Sequence, residues 1–269
     1  MIRLPVVAGQ FYPSDPQVLK KMIASFGIKK PKDSQKAIAC ILPHAGYIYS
    51  GKVAARGLAE IDIGTSCIIL GPNHTGTGAL YSLVREGAWK TPLGSVPIDT
   101  ELADRLLKNS KYLEEDEVAH AYEHSIEVEL PLIQEIGRTD FSLVPIILAT
   151  GDNLVYKDIA SAIATAVQQS KKDVTIIASS DMTHYEPQED ANRKDKEAIE
   201  ALLKLDPQGL IDKIDRYQIS MCGYIPAVIA LMAAKILGAK KTRLVAYQTS
   251  GDVTGDFSSV VGYASIVIQ

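Results

Sequence analysis

Short runs of β-branched and other apolar residues alternate along the chain with longer stretches whose apolar positions recur at helical spacing. That alternation predicts an α/β protein with helices packed on a central, mostly parallel or mixed sheet. Strands are expected at Ala37–Leu42, Ser66–Leu70, Ala79–Val84, Ser142–Leu148, Val174–Ala178, Thr242–Tyr247 and Ser258–Val267, most of them bounded by turn-forming residues. Several are apolar at nearly every position, as in strands buried on both faces. Helices are expected near Pro16–Phe26, Gly51–Ile61, Asp99–Lys108, Ser125–Glu135, Leu154–Gln169, Asn192–Lys204, Pro207–Lys213 and Pro226–Leu237. Pro207, following Asp206, suits a first helical turn because its missing N–H has no helical partner there. No repeat or low-complexity tract divides the sequence, so residues 1–269 read most simply as one domain. The segment Lys29–Ser34 looks like a solvated loop.

A hydrophobic fraction of 46% over 269 residues is enough to bury a sizeable core, which sets disorder aside. The 28 basic residues against 32 acidic ones give a net charge of −4, which leaves no electrostatic footprint for binding nucleic acid. The longest apolar run, Ile225–Ala234, stops at Lys235 after ten residues, well short of the roughly 18 that a membrane span requires. Met1-Ile2-Arg3-Leu4-Pro5 carries no basic region followed by an apolar run, so a cytoplasmic location is expected. The three cysteines, Cys40, Cys67 and Cys222, are too far apart for a Cys-x-x-Cys pair, and Cys40 and Cys67 fall inside expected core strands.

Three of the five histidines follow strands. Ala37–Leu42 runs into Pro43-His44, Cys67–Leu70 into Gly71-Pro72-Asn73-His74, and Val174–Ala178 into Ser179-Ser180-Asp181-Met182-Thr183-His184. In an open α/β sheet, ligands bind in the crevice beyond the carboxyl ends of the strands, so these side chains are expected to converge. A lone histidine is more often a turn or loop residue, but the recurrence, with Gly46, Gly71 and Gly76 alongside, favours a site. Two imidazoles with one further ligand leave coordination positions open on a borderline or soft ion. Cys222, ahead of the helix expected near Pro226, is the candidate third ligand, since helix-end amides favour a thiolate. On spacing alone, a small buried apolar residue is the favoured reading of an isolated cysteine. Asp181 and His184 could face one pocket as a carboxylate and an imidazole, or Asp181 could simply form a turn. His124 in Glu123-His124-Ser125-Ile126-Glu127, where Ser125 is expected to begin a helix, is a candidate proton donor or substrate clamp. His120 lacks the His-Glu-x-x-His arrangement with His124 and is read as a surface residue.

Taken in order, these motifs resemble the Memo family, whose prokaryotic members are called protein B of the AmmeMemoRadiSam system. The resemblance runs through Ala8-Gly9-Gln10-Phe11-Tyr12-Pro13, Pro43–Gly51, Leu70–His74, Glu123–Glu127 with Leu130-Pro131, Ser179–His184, and Cys222-Gly223 with Pro226. It implies an α/β fold like that of class III extradiol dioxygenases, which are non-haem iron(II) enzymes. It also implies His44, His74 and Cys222 as metal ligands, with Asp181, His184 and His124 lining the same pocket. Ring-cleaving dioxygenases use two histidines and a carboxylate, whereas a thiol stands third here, which favours softer ions such as copper(I) and argues against ring cleavage.

The leading expectation is therefore a metal-dependent protein of redox or oxygen-related character, with iron or copper as its cofactor and an unknown substrate. In it His184 serves as general acid or base, Asp181 orients His184 or binds substrate, and His124 donates a hydrogen bond to a bound ligand. The alternatives are a metal-independent module that binds a peptide or partner protein, a function shared with radical S-adenosylmethionine and AmmeMemoRadiSam partner proteins, and a metal-free site with Asp181 and His184 as its acid/base pair.

Overall fold

The computed structural model describes residues 2–31 and 34–269, so Lys32 and Asp33 of the expected Lys29–Ser34 loop lie outside the described residues. Its centre is a mixed nine-stranded sheet. Four parallel strands form the middle, in the order Ala39–Leu42, Val174–Ser179, Ser66–Pro72 and Ser142–Leu148. Antiparallel partners flank them, Val260–Ile268 beside Ala39–Leu42 and Tyr81–Leu83 beside Ser142–Leu148. Thr242–Thr249 and His184–Glu186 both pair with Val260–Ile268, and Glu114–Glu115 pairs with Tyr81–Leu83.

Successive side chains of a strand point to opposite faces, and the parallel strands divide their apolar residues accordingly. Ile41, Ile68, Leu70, Val144, Ile146 and Ile176 face a core shared with the helices Asn153–Gln169 and Tyr224–Ile236. Cys40, Leu42, Cys67, Ile69, Ile147 and Ile177 face the opposite core, against the helices Pro16–Ser25 and Lys52–Ala59. Apolar residues on both faces are what the uninterrupted runs in these strands require. Asp15, Asp99, Asp152 and Asp206 cap helices by accepting backbone N–H groups, and Pro207 occupies the first turn behind Asp206 as expected.

The expected helix Ser125–Glu135 is not continuous. Residues 125–128 form tight turns, an α-helix covers only Glu129–Leu132, and a π-type turn covers Ile133–Gly137. Two features explain this. The Glu123 carboxylate accepts the backbone N–H groups of His124 and Ser125, and Pro131 has no N–H to bond back to residue 127 in a helix begun at Ser125. The chain also forms a three-stranded sheet, Ile2–Arg3 with Ala88–Thr91 and Gly94–Pro97, that its short, mixed sequences did not announce.

Candidate metal centre

Strand register builds the site. Leu42 is aligned with Ser179, Leu70 with Ala178, and Pro72 with Leu148, so the four parallel strands end at one edge of the sheet. His44, His74 and Asp181 each lie two residues beyond their strand. Gly71 allows the Ser125 segment to pack against its strand, since a Cβ at residue 71 would run into Ser125 Oγ and lie 2.9 Å from Ile126 Cγ1. That segment delivers His124 to the same place. The His44 and His74 rings stand edge to face at 5.2 Å, and the His74 and His124 rings stack at 4.8 Å.

Cys222, just ahead of the helix Tyr224–Ile236, completes the group with Sγ 3.4 Å from His44 Nε2. One ligand atom from each of His44, His74 and Cys222 lies within 4.8 Å of the others. Burial, reinforced by the charges of His74 and His124, drives the His44 imidazole well below its ordinary pKa, so it is neutral and fit to coordinate. Burial likewise lowers His124 despite the opposing pull of Glu123. The helix-end amide of Gly223 favours a Cys222 thiolate as expected but is outweighed. Burial first, and then the Asp181 charge, pushes this thiol up against the Asp181 N–H, the Ser180 hydroxyl and the Gly223 N–H. A cation held there would favour the thiolate instead.

Glu123 was legible only as a motif letter, yet it organises His74 and His124. Burial raises its pKa, but the hydrogen bond and charge of His74, the Ser125 N–H and the charge of His124 outweigh it, and the group is held at about 2. Its Oε1 accepts from His74 Nδ1 at 2.9 Å and Oε2 from the His74 backbone N–H at 2.6 Å. An ionised carboxylate only accepts, so Nδ1 is the donor and Nε2 is the ring nitrogen left for a further partner. Behind it, buried Arg3 donates to Glu127 Oε2 and to the carbonyls of His120 and Glu123, and its guanidinium lies 4.1 Å over the Trp89 ring. The amino-terminal segment thus fastens the loop that carries His124.

His120 is not a surface residue. It is fully buried, with Nε2 3.0 Å from Ser82 Oγ and its ring edge-on to Trp89, and burial lowers its pKa to about 4. The polar residues around it in sequence gave no sign that Arg3 draws this loop inward.

Asp181 is buried, and burial raises it to about 6 against the charge of His184 and the N–H groups of His44 and Ala45. Its Oδ1 accepts the His44 N–H at 2.9 Å. His184 is instead oriented by Ser220, whose carbonyl lies 2.9 Å from Nδ1 and whose hydroxyl accepts the His184 N–H. The carboxylate therefore braces the His44 turn, and the expected Asp181-to-His184 orientation is replaced by a serine. Both residues, with His44, His74 and His124, line a cleft of about 740 Å³ whose walls include Phe11, Tyr49, Tyr185 and Tyr263. Cys222 lies beneath this surface, half-buried. Tyr185, 77% exposed at the rim, holds a left-handed backbone with φ of 58°, a strained conformation of the kind found at ligand sites.

The model of the Memo-like protein family matches residues 3–267. A MEMO1 family protein of Methanopyrus kandleri is 42% identical over 281 residues, covering 100% of this chain and 99% of its own. Relatives from Aquifex aeolicus and Methanosarcina acetivorans, both named MEMO1 family proteins, are 43% and 44% identical, and each alignment covers at least 98% of both chains. The chain belongs to the Memo family. The crystal structure of an uncharacterized protein from Escherichia coli K12 shares the fold with a TM-score of 0.58 at 14% identity, covering 87% of this chain and 100% of that one. Among the described residues, no helix is long and apolar enough to cross a membrane.

Proposed function

We propose that this protein binds one transition-metal ion, copper(I) or iron(II), through His44 Nε2, His74 and Cys222 Sγ, and presents it to a small molecule in the cleft for redox or oxygen-related chemistry. The observation that carries the reading is the meeting of two imidazoles and a thiol within 4.8 Å at the carboxyl edge of the sheet. The donor chemistry fits: nitrogen and sulfur ligands suit soft or borderline ions, and three protein ligands leave positions open. An ion held there would supply electron transfer or Lewis-acid polarisation of a bound ligand. The protein's own part is to bind and orient. Glu123 fixes His74, Phe11 and the tyrosines offer apolar contact, and His124 and His184 present imidazoles to the ligand. With a thiol in the third position, a dioxygenase-like fold does not carry ring cleavage with it.

Anaerobic titration with copper(I) or iron(II) tests this. Uptake of about one equivalent that His74→Ala abolishes, with the far-UV spectrum unchanged, is the expected result. Equal uptake by the variant would remove His74 from the ligand set.

A further inference from the structure

The two histidine ligands are held by different means. His74 meets a carboxylate directly, whereas His44 Nδ1 meets a serine hydroxyl, Ser179 Oγ, at 2.8 Å. A hydroxyl can donate or accept, so on its own it does not decide which nitrogen of His44 carries the proton. The surroundings of Ser179 do decide. Its Oγ also lies 2.7 Å from the Ser125 carbonyl oxygen and 2.9 Å from Glu129 Oε1. The Ser179 hydroxyl is in donor geometry toward both oxygens, but the carbonyl can only accept and lies nearest, so the single hydroxyl proton is assigned to it. The two remaining neighbours, His44 Nδ1 and the Glu129 carboxyl, must then both donate to Ser179 Oγ.

For Glu129 that demand means a neutral carboxylic acid. It is fully buried, and among the described residues it forms no ion pair. Burial pushes its pKa well above the ordinary carboxylate range against the lowering effect of the Ser179 hydrogen bond, and the Asp181 charge adds to the rise. Its second oxygen, Oε2, has no hydrogen-bond partner among the described residues, which a carbonyl oxygen of a neutral acid tolerates better than a carboxylate oxygen does.

We propose that Glu129 and Ser179 are positioning residues. Glu129 donates its acid proton to Ser179 Oγ, and Ser179, its own proton held by Ser125, accepts from His44 Nδ1–H, fixing the tautomer that leaves Nε2 bare toward Cys222. Neither group touches the cleft. The consequence for metal affinity rests on the metal-site reading above, but the tautomer and the neutral acid do not. Glutamate suits the role because its carboxylic acid supplies a proton donor at a buried acceptor, and a glutamine amide can do the same.

The test uses the full-length, metal-free protein at pH 7 with ¹⁵N-labelled histidine, alongside Glu129→Gln and Ser179→Ala. Expected are a His44 signal from the Nδ1–H tautomer in wild type and in Glu129→Gln, its loss or averaging in Ser179→Ala, and a protonated-carboxyl infrared band in wild type that Glu129→Gln removes. A wild-type Nε2–H tautomer would overturn the proposal, as would absence of that infrared band or an unchanged tautomer in Ser179→Ala. Titration with copper(I) alone then reads the consequence. The dissociation constant is expected to rise about 10- to 100-fold in Ser179→Ala and to stay within about threefold in Glu129→Gln. If wild type takes up no copper(I) or iron(II), the metal reading fails, while the tautomer and infrared results still decide the proposal.

Discussion

Glu123 grips His74 at two points, its Oε2 accepting the backbone N–H at 2.6 Å and its Oε1 accepting from the ring Nδ1 at 2.9 Å. The same Oε1 accepts the N–H groups of His124 and Ser125 at 2.9 Å each. Both oxygens are therefore committed as acceptors. A glutamine at this position must turn its NH₂ toward an existing donor, so Glu123→Gln disorders His74 and the His124 turn together. We expect metal affinity to fall about 10- to 100-fold, read by competitive titration against a chromophoric chelator. An unchanged affinity would show that the ring needs no carboxylate to hold it.

Cys222→Ser exchanges a soft sulfur donor, 3.4 Å from His44 Nε2, for a hydroxyl on the same half-buried residue. The loss should depend on the ion. Copper(I) affinity is expected to drop by at least about 100-fold, and iron(II), which accepts oxygen ligands, by much less. Equal losses for the two ions would mean that Cys222 acts only through packing.

His120 makes stability depend on pH with a definite sign. Its ordinary value of 6.5 is lowered to about 4 in the folded protein, chiefly by burial and then by the Arg3 charge. Between those values the unfolded chain binds the proton and the folded one does not, so stability rises with pH. The contribution is complete above 6.5 and lost as pH falls to 4. At about 1.36 kcal/mol per pKa unit, the advantage of wild type over His120→Gln should shrink by roughly 3 kcal/mol between pH 7 and pH 4. Denaturant unfolding of both proteins at the two pH values measures it, and a pH-independent difference would contradict the assignment.

Gly71→Ala and Gly46→Ala separate two glycines that look alike in the sequence. A Cβ at residue 71 would clash with Ser125 Oγ and Ile126, whereas at residue 46 the nearest atom is the Phe11 carbonyl oxygen at 3.6 Å, an ordinary contact. Gly71→Ala is expected to cost about 1–3 kcal/mol from overpacking and to weaken metal uptake by displacing the Ser125 segment. Gly46→Ala should leave both close to wild type. Thermal unfolding with a parallel metal titration distinguishes the two.

The parallel strands and most helices were legible because their information is local. Ser142–Leu148 has the expected bounds, and Val174–Ser179 extends the expected strand by a single residue, since apolar runs between turn formers leave few other conformations. The convergence of His44, His74 and His184 on one cleft was legible too, because a parallel sheet aligns the ends of its strands. What the sequence concealed is long-range. Arg3 reaches residues about 120 positions away, and that contact, invisible to any local pattern, buries His120 and fastens the Glu123 loop. Glu129 sits in a stretch that reads as an amphipathic helix, where an acid is ordinarily taken for a solvated face, and only its packing against Ser179 shows otherwise. Ser220 had no signal at all beside His184, from which it is separated by 36 residues.

Whether His44, His74 and Cys222 together hold one metal ion is decided by X-ray absorption at the metal edge of the copper(I)-loaded protein. One sulfur scatterer at about 2.3 Å and two imidazole nitrogens at about 2.0 Å are expected, with the sulfur shell absent in Cys222→Ser. A wild-type spectrum with only nitrogen and oxygen neighbours, or a sulfur shell that persists in Cys222→Ser, would contradict this ligand set.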